Sequence, residues 1–225
     1  MRQILLDTET TGLEPKQGHR IIEIGCVEMV NRRLTQNHYH QYIRPDREID
    51  SEAMEVHGIT NEYLADKPRF ADIAETFIEY VRGAELIIHN APFDVGFINN
   101  EFRLMGTGLP PLEEICEIVD SLQMARKQYP GQKNNLDALC RRLDIDNTHR
   151  TLHGALLDSE ILAAVYLAMT GGQTGLDLDG LEEFGGVEPV RRFSSERARL
   201  PVPQAGAEEL AAHSAYLEKI GAEAW

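Results

Sequence analysis

The chain has 225 residues, 42% of them hydrophobic and 26% charged, which is the make-up of a folded globular protein and excludes a wholly disordered chain. Its 22 basic and 37 acidic side chains give a formal charge of −15, which disfavours a protein that coats DNA non-specifically. It does not disfavour a nuclease, because clustered carboxylates await divalent cations that reverse the local field.

The length suggests one domain and an appendage. Residues 1–170 carry 17 basic and 27 acidic side chains, residues 171–225 carry 5 and 10, and the second part is dense in Gly and Pro with few large apolar residues. The expected division is a folded domain over 1–170, a flexible linker over 171–207 and a short helical tail over 208–225. Cys26, Cys116 and Cys140 stand far apart with no CxxC or Cys/His pair, which excludes a disulfide scaffold and a cysteine-based zinc site. The apolar start is too short for a signal peptide, and the longest apolar run, 161–169, is too short to span a bilayer. A cytoplasmic protein is expected.

In chain order, the apolar stretch 3–7 predicts a first strand, the partly alternating 21–30 a second, and 38–44 a third, ended by Pro45. Phe70, Ile73, Ala74, Phe77, Ile78 and Val81 share one helical face, so 70–81 is a helix. A fourth strand over 85–89 leads into a helix through 93–105. A fifth strand over 115–120 precedes helices near 136–143 and 154–169. Short-connected strands followed by strand–helix alternation imply an α/β fold, a mixed five-stranded sheet flanked by helices.

The candidate chemistry lies at the ends of these elements. Asp7 and Glu9 close the first strand in Leu6-Asp7-Thr8-Glu9-Thr10-Thr11-Gly12, and positions i and i+2 of a strand face the same side. Asp94 falls in the first turn of a helix leaving the carboxyl end of a strand, where open α/β sheets build sites. Asp158 sits in an otherwise apolar helix start. His153, five residues earlier, is off that helical face and belongs to the loop before it. Each feature alone is ordinary: Asp-x-Glu is common on surfaces, and acidic residues favour helix N-termini. Together, four carboxylates and one His converge, and four such charges repel unless cations neutralise them. All-oxygen ligands suit Mg²⁺ or Mn²⁺, two such ions serve in-line phosphoryl displacement, and a neutral His accepts a proton.

Three segments, Leu6-Asp7-Thr8-Glu9-Thr10-Thr11-Gly12-Leu13, Asn90-x-x-Phe93-Asp94 and His153-x-Ala155-x-x-Asp158, resemble the motifs of the DEDDh (DnaQ-like) 3′→5′ exonucleases, the replicative proofreading enzymes in particular. The resemblance implies a ribonuclease H-like fold and two-metal-ion hydrolysis releasing nucleoside 5′-monophosphates. It makes Asp7, Glu9 and Asp158 ligands of the first ion, with Asp7 bridging to the second, Asp94 acting from the second ion's side and His153 as the general base. Activity is then expected to fall as His153 protonates, roughly below pH 6.5. The segment from Ser51 to Thr60 resembles the part of the family that holds the terminal nucleotide, so Glu52 and His57 join Asp7, Glu9 and Asp158 as substrate contacts. His89, Asn90 and Phe93 are expected to line the same pocket, and Arg126, Lys127, Lys133, Arg141 and Arg142 are available to steer DNA.

Beyond the domain, Gln173-Thr174-Gly175-Leu176-Asp177-Leu178 resembles the peptides that dock on the β sliding clamp. Residues 208–225, with Leu210 and Leu217 at helical spacing and a terminal Trp225, resemble the tail that binds the polymerase (alpha) subunit; some relatives also carry a small theta-like subunit. The alternatives are an RNA-trimming exonuclease of the same family, since the motifs do not read the 2′-OH, and an inactive adaptor. The tail peptides argue against the first and the complete set of acids against the second.

Overall fold

The computed structural model describes residues 1–148, 150, 152–171 and 206–220. The chain divides into two compact units, Met1–Thr174 and Gly175–Trp225. The first unit is built on a sheet of five strands: β1 (Arg2–Thr10), β2 (Ile21–Val30), β3 (Arg33–Tyr42), β4 (Glu85–Ile88) and β5 (Glu117–Asp120). Their order is β3-β2-β1-β4-β5, with β2 antiparallel to β1 and β3, and β1, β4 and β5 mutually parallel. This is the mixed, helix-flanked sheet expected from the sequence.

Strand alternation sorts the residues of β1 between two faces. Ile4 and Leu6 pack with α3 (Phe70–Val81) and α4 (Ala91–Met105) on one face, through Phe70, Phe77, Phe97 and Ile98. Leu5 packs on the other, against Leu162, Ala163 and Tyr166 of α8 (Ala155–Thr170). Helix α8 is in turn covered by α6 (Ser121–Gln128) and α7 (Leu136–Leu143), through Ala125, Leu139 and Cys140 against Ile161, Val165 and Met169. Covered on two sides, α8 is apolar nearly all round, which makes its buried Asp158 and Ser159 exceptional.

Several boundaries depart from the sequence reading. β1 runs on to Thr10 because Thr8, Glu9 and Thr10 pair with Ile24, Glu23 and Ile21 of β2, so Asp7 and Glu9 lie within the strand and do not end it. β3 starts at Arg33 and stops at Tyr42, and Ile115 belongs to the one-turn helix α5 (Leu112–Ile115), not to β5. Two short helices, α1 (Ser51–His57) and α2 (Asn61–Leu64), lie where the sequence predicted no element, and α6 is a further helix not foreseen. Each is eight residues or fewer, too short to be stable on local propensity, and is held by tertiary packing. Around α1 and α2 this is the cluster of Ile22, Ile49, Ile59 and Leu64.

In the second unit, α9 (Ala207–Ile220) exposes Leu210 and Tyr216. The segment 173–178 lies outside the described residues. Among the described residues no helix is long and apolar enough to cross a membrane.

Candidate active site

The carboxyl ends of the parallel strands β1 and β4 open on one side of the sheet, and a cleft of about 290 Å³ forms there. Asp7 and Glu9 project from β1 towards the α8 face. Asp158 comes down from the first turn of α8, where the helix dipole favours its charge. Asp94 reaches the same cleft from the other face, in the first turn of α4. Between β4 and α4 the chain turns at Asn90, held at φ 73°, a left-handed conformation that Asn tolerates better than most residues.

Thr8 takes the opposite face from its neighbours and donates its hydroxyl to Asp94 Oδ1 at 2.7 Å, which fixes the carboxylate from α4 against β1. The helix α8 rides close on the sheet because residue 25, opposite Asp7 in β2, is a glycine. A Cβ there would lie 2.2 Å from the carbonyl carbon of Ala155, and Ser159 Oγ donates to the Gly25 carbonyl at 2.9 Å.

The five expected catalytic residues, Asp7, Glu9, Asp94, His153 and Asp158, all line this cleft. Ligand atoms of Glu9, His153 and Asp158 lie within 4.8 Å of one another; Asp7 and Asp94 join the group electrostatically. Burial, followed by repulsion from Asp158, Glu23 and Asp94, pushes the Glu9 carboxyl up to about 8. Burial lifts Asp94 to about 7 against the pull of the Thr8 hydroxyl. Asp7 is raised well above the usual carboxylate range, by burial first and then by Asp94, Glu9 and Asp158. Desolvated oxygen donors that resist ionisation for want of positive charge are the donor set of a hard divalent cation.

His153 is half-exposed at the rim, with Nδ1 3.4 Å from Asp158 Oδ2. Burial and the nearby Arg150 lower its pKa, so the imidazole is held neutral. Its backbone N–H donates to the Val56 carbonyl of α1 at 3.1 Å, which ties this loop to the helix carrying Glu52 and His57.

Glu52 and His57 line an adjoining cleft of about 510 Å³ that shares Thr8, Glu9 and Phe93 with the first. His57 is buried. Its Nδ1 accepts from the Ile59 amide at 3.0 Å, so Nε2 carries the proton, and among the described residues that Nε2 is the buried side-chain polar atom without a partner. The Thr10 backbone lies beside the ring and favours its protonated form, but outside good hydrogen-bond geometry. His89, Asn90 and Phe93 line the carboxylate cleft. The His89 ring bridges Ser121 Oγ and the Asn134 carbonyl, each at 2.9 Å.

Sequence reasoning missed Arg150 and Asp137. The Arg150 guanidinium grips Asp158 with Nε on Oδ1 and Nη2 on Oδ2, the latter at 2.7 Å. Its Nη1 donates to Asp137 Oδ1 at 2.7 Å, and its Nη2 reaches His153 Nδ1 at 2.9 Å. Among the described residues lining the cleft it is the only Lys or Arg. No spacing marks it, since its role depends on how the loop before α8 folds. Arg142, read as free to steer DNA, is engaged: it stacks over the Tyr129 ring at 4.5 Å and donates to Asn134 Oδ1 and the Lys133 carbonyl.

The family model RNase_T, described as Exonuclease, matches residues 4–166. The chain belongs to the exonuclease family. The DNA polymerase III subunit epsilon of Salmonella typhimurium is 53% identical to this exonuclease over 226 residues, spanning 97% of this chain and 93% of the relative. Exonuclease X, solved in complex with 5′ overhanging duplex DNA, is 29% identical with a TM-score of 0.60, over 76% of this chain and 92% of that one. The nuclease domain of 3′hExo, a DEDDh family member bound to rAMP, shares the fold at a TM-score of 0.65 and 21% identity, over 75% of this chain and 90% of that one. The exonuclease is metal-dependent and works in the 3′→5′ direction.

Proposed function

We propose that this exonuclease is the proofreading subunit of a bacterial replicative DNA polymerase, acting in the cytoplasm at the nucleoid and removing mispaired 3′-terminal nucleotides as 5′-monophosphates. The observation that carries the reading is the convergence of Asp7, Glu9, Asp94, Asp158 and His153 on one cleft whose acids are pushed upwards. The relatives named DNA polymerase III subunit epsilon, matched along nearly their whole length, supply the polymerase context.

Two divalent cations, Mg²⁺ or Mn²⁺, are the proposed cofactor. Asp7, Glu9 and Asp158 would hold one, and Asp7 with Asp94 the other. When bound, such ions neutralise the cluster, activate water and stabilise the leaving 3′-oxygen. The side chains do the rest. Thr8 keeps Asp94 aimed into the cleft. His153, neutral near pH 7, takes the proton of the attacking water on its ring lone pair. Glu52 and the unpartnered His57 Nε2–H engage the terminal nucleotide in the adjoining cleft, beside the carboxylates through the shared Glu9 and Phe93.

Residues 1–170 form the nuclease domain, 171–207 a linker and 208–225 the polymerase-binding tail. Leu210 and Tyr216, exposed on α9, suit an anchor for the alpha subunit. The segment 173–178 is the proposed clamp-binding peptide, and a small theta-like subunit is a further proposed partner.

The test is degradation of a 3′-recessed DNA primer, matched or mismatched at its end, with Mg²⁺ or with EDTA. Metal-dependent release of deoxynucleoside monophosphates, lost in Asp7→Ala and poor on single-stranded RNA, is expected. Deleting 208–225 should leave this activity intact and abolish capture by the polymerase subunit. Preference for RNA would replace proofreading with RNA trimming, and absence of cleavage by folded protein would leave an adaptor.

A further inference from the structure

One guanidinium does three things at the centre of the cleft. It covers both oxygens of Asp158, it donates to His153 Nδ1 and it reaches out to Asp137. A guanidinium carries donors only, so His153 Nδ1 must be the acceptor in that bond. A neutral imidazole has a single lone pair, and here Arg150 occupies it. The same side chain therefore blocks a proposed metal ligand and the proposed base at once. Arg150 itself is nearly buried, whereas Asp137 is half-exposed and is held from outside the cluster by Asn147 Nδ2 at 3.2 Å.

We propose that Arg150 is a positioning residue acting as an internal lock: without a divalent cation it holds Asp158 and His153 in an inactive pairing, and cation binding displaces it onto Asp137. The displacement frees the oxygens of Asp158 and the lone pair of His153 in one movement. Arg150 and the cation compete for the same atoms, so whatever strengthens the Arg150–Asp158 pair weakens cation binding by the same factor. This inference rests on the reading of Asp158 as a metal ligand given above.

The test uses the full chain and Mn²⁺ alone, with affinity read from the spin resonance of free Mn²⁺ and melting temperature read in EDTA and at saturating Mn²⁺. Arg150→Gln is expected to bind Mn²⁺ about tenfold more tightly or better, the factor set by one charge-assisted hydrogen-bonded pair. It should also melt lower in EDTA and regain the difference at saturating Mn²⁺. Arg150→Lys keeps the charge and loses the fork, so its affinity should fall between the two; it carries the test if Arg150→Gln does not fold. Asp137→Asn should weaken Mn²⁺ binding in the wild-type background and lose most of that effect beside Arg150→Gln.

The lock is overturned if Arg150→Gln binds Mn²⁺ no more tightly and melts lower by the same amount with and without the ion, the pattern of a merely structural arginine. It is equally overturned if Arg150→Lys shows no tightening while Arg150→Gln does, since net charge alone then explains the change. Asp158→Asn separates the two readings. If it leaves Mn²⁺ binding unchanged, the ligand assignment fails and the lock with it; if it abolishes binding while Arg150→Gln behaves as wild type, the lock alone fails.

Discussion

His153 stands between opposing fields. Burial and the Arg150 charge lower its pKa, Asp158 and Asp137 raise it, and the lowering prevails. A histidine with a depressed pKa stays neutral to lower pH, and a bound cation adds to the depression, so the acid limb of the rate lies below the 6.5 of an unperturbed imidazole. At saturating Mg²⁺ the rate is expected to be flat through pH 6.5 and to decline only below it. His153→Ala should lose about 10²–10⁴ in kcat and lose that limb. A wild-type rate already halved at pH 7, or a limb that survives in His153→Ala, would assign the proton to another group. His153 was legible in the sequence because a short motif carries it, as were Asp7, Glu9, Asp94 and Asp158. Thr8 was legible in part: alternation sends it to the α4 face, but only the packed helix shows that Asp94 receives its hydroxyl. Arg150 was not legible, because its grip on Asp137 before it and on His153 and Asp158 after it depends on how the loop before α8 folds.

Among the elements, α8 has the least freedom. Its first turn lies on β2 at Gly25, where a Cβ would meet the carbonyl carbon of Ala155 and the amide nitrogen of Leu156, each at 2.2 Å. Backbone atoms cannot swing aside as a side chain can, so Gly25→Ala must lift the helix and carry Asp158 away from Asp7. A destabilisation of about 1–3 kcal/mol or more is expected, read as a lower melting temperature. A rate loss exceeding tenfold at saturating Mn²⁺ should accompany it, though no catalytic side chain has changed. Wild-type kinetics in a folded Gly25→Ala protein would refute this close seating. Strands β1, β2, β4 and β5 were readable because each carries an apolar run, and α3 because six apolar residues mark one face. The short helices around the site were not: α1, α2 and α6 exist through packing against distant residues, and the extension of β1 to Thr10 depends on its partner β2. In consequence His57, placed by α1, would have been left in a loop without the family resemblance.

At the scale of the whole molecule, the raised carboxylates link stability to pH and to metal. Glu9 at about 8 and Asp94 at about 7 bind protons more readily folded than unfolded. Their contribution is therefore favourable at low pH and is lost as pH rises from the ordinary carboxylate range through those values. In EDTA the melting temperature is expected to be higher at pH 6 than at pH 8.5. Added Mg²⁺ should raise it more at pH 8.5, and Asp94→Asn should flatten part of the slope. Identical pH profiles with and without Mg²⁺ would separate these acids from metal binding. The same shortage of positive charge shapes the encounter with DNA. With 37 acidic against 22 basic side chains and one arginine in the cleft, few phosphates can be neutralised, few counterions are released, and diffusional capture is slow. In the proposed assembly, with the tail held by a polymerase already seated on the template, the same cleft would meet the primer terminus at an effective concentration on the order of millimolar. Under that proposal tethering would replace affinity: the terminus would be sampled and let go while the polymerase kept its place on the strand.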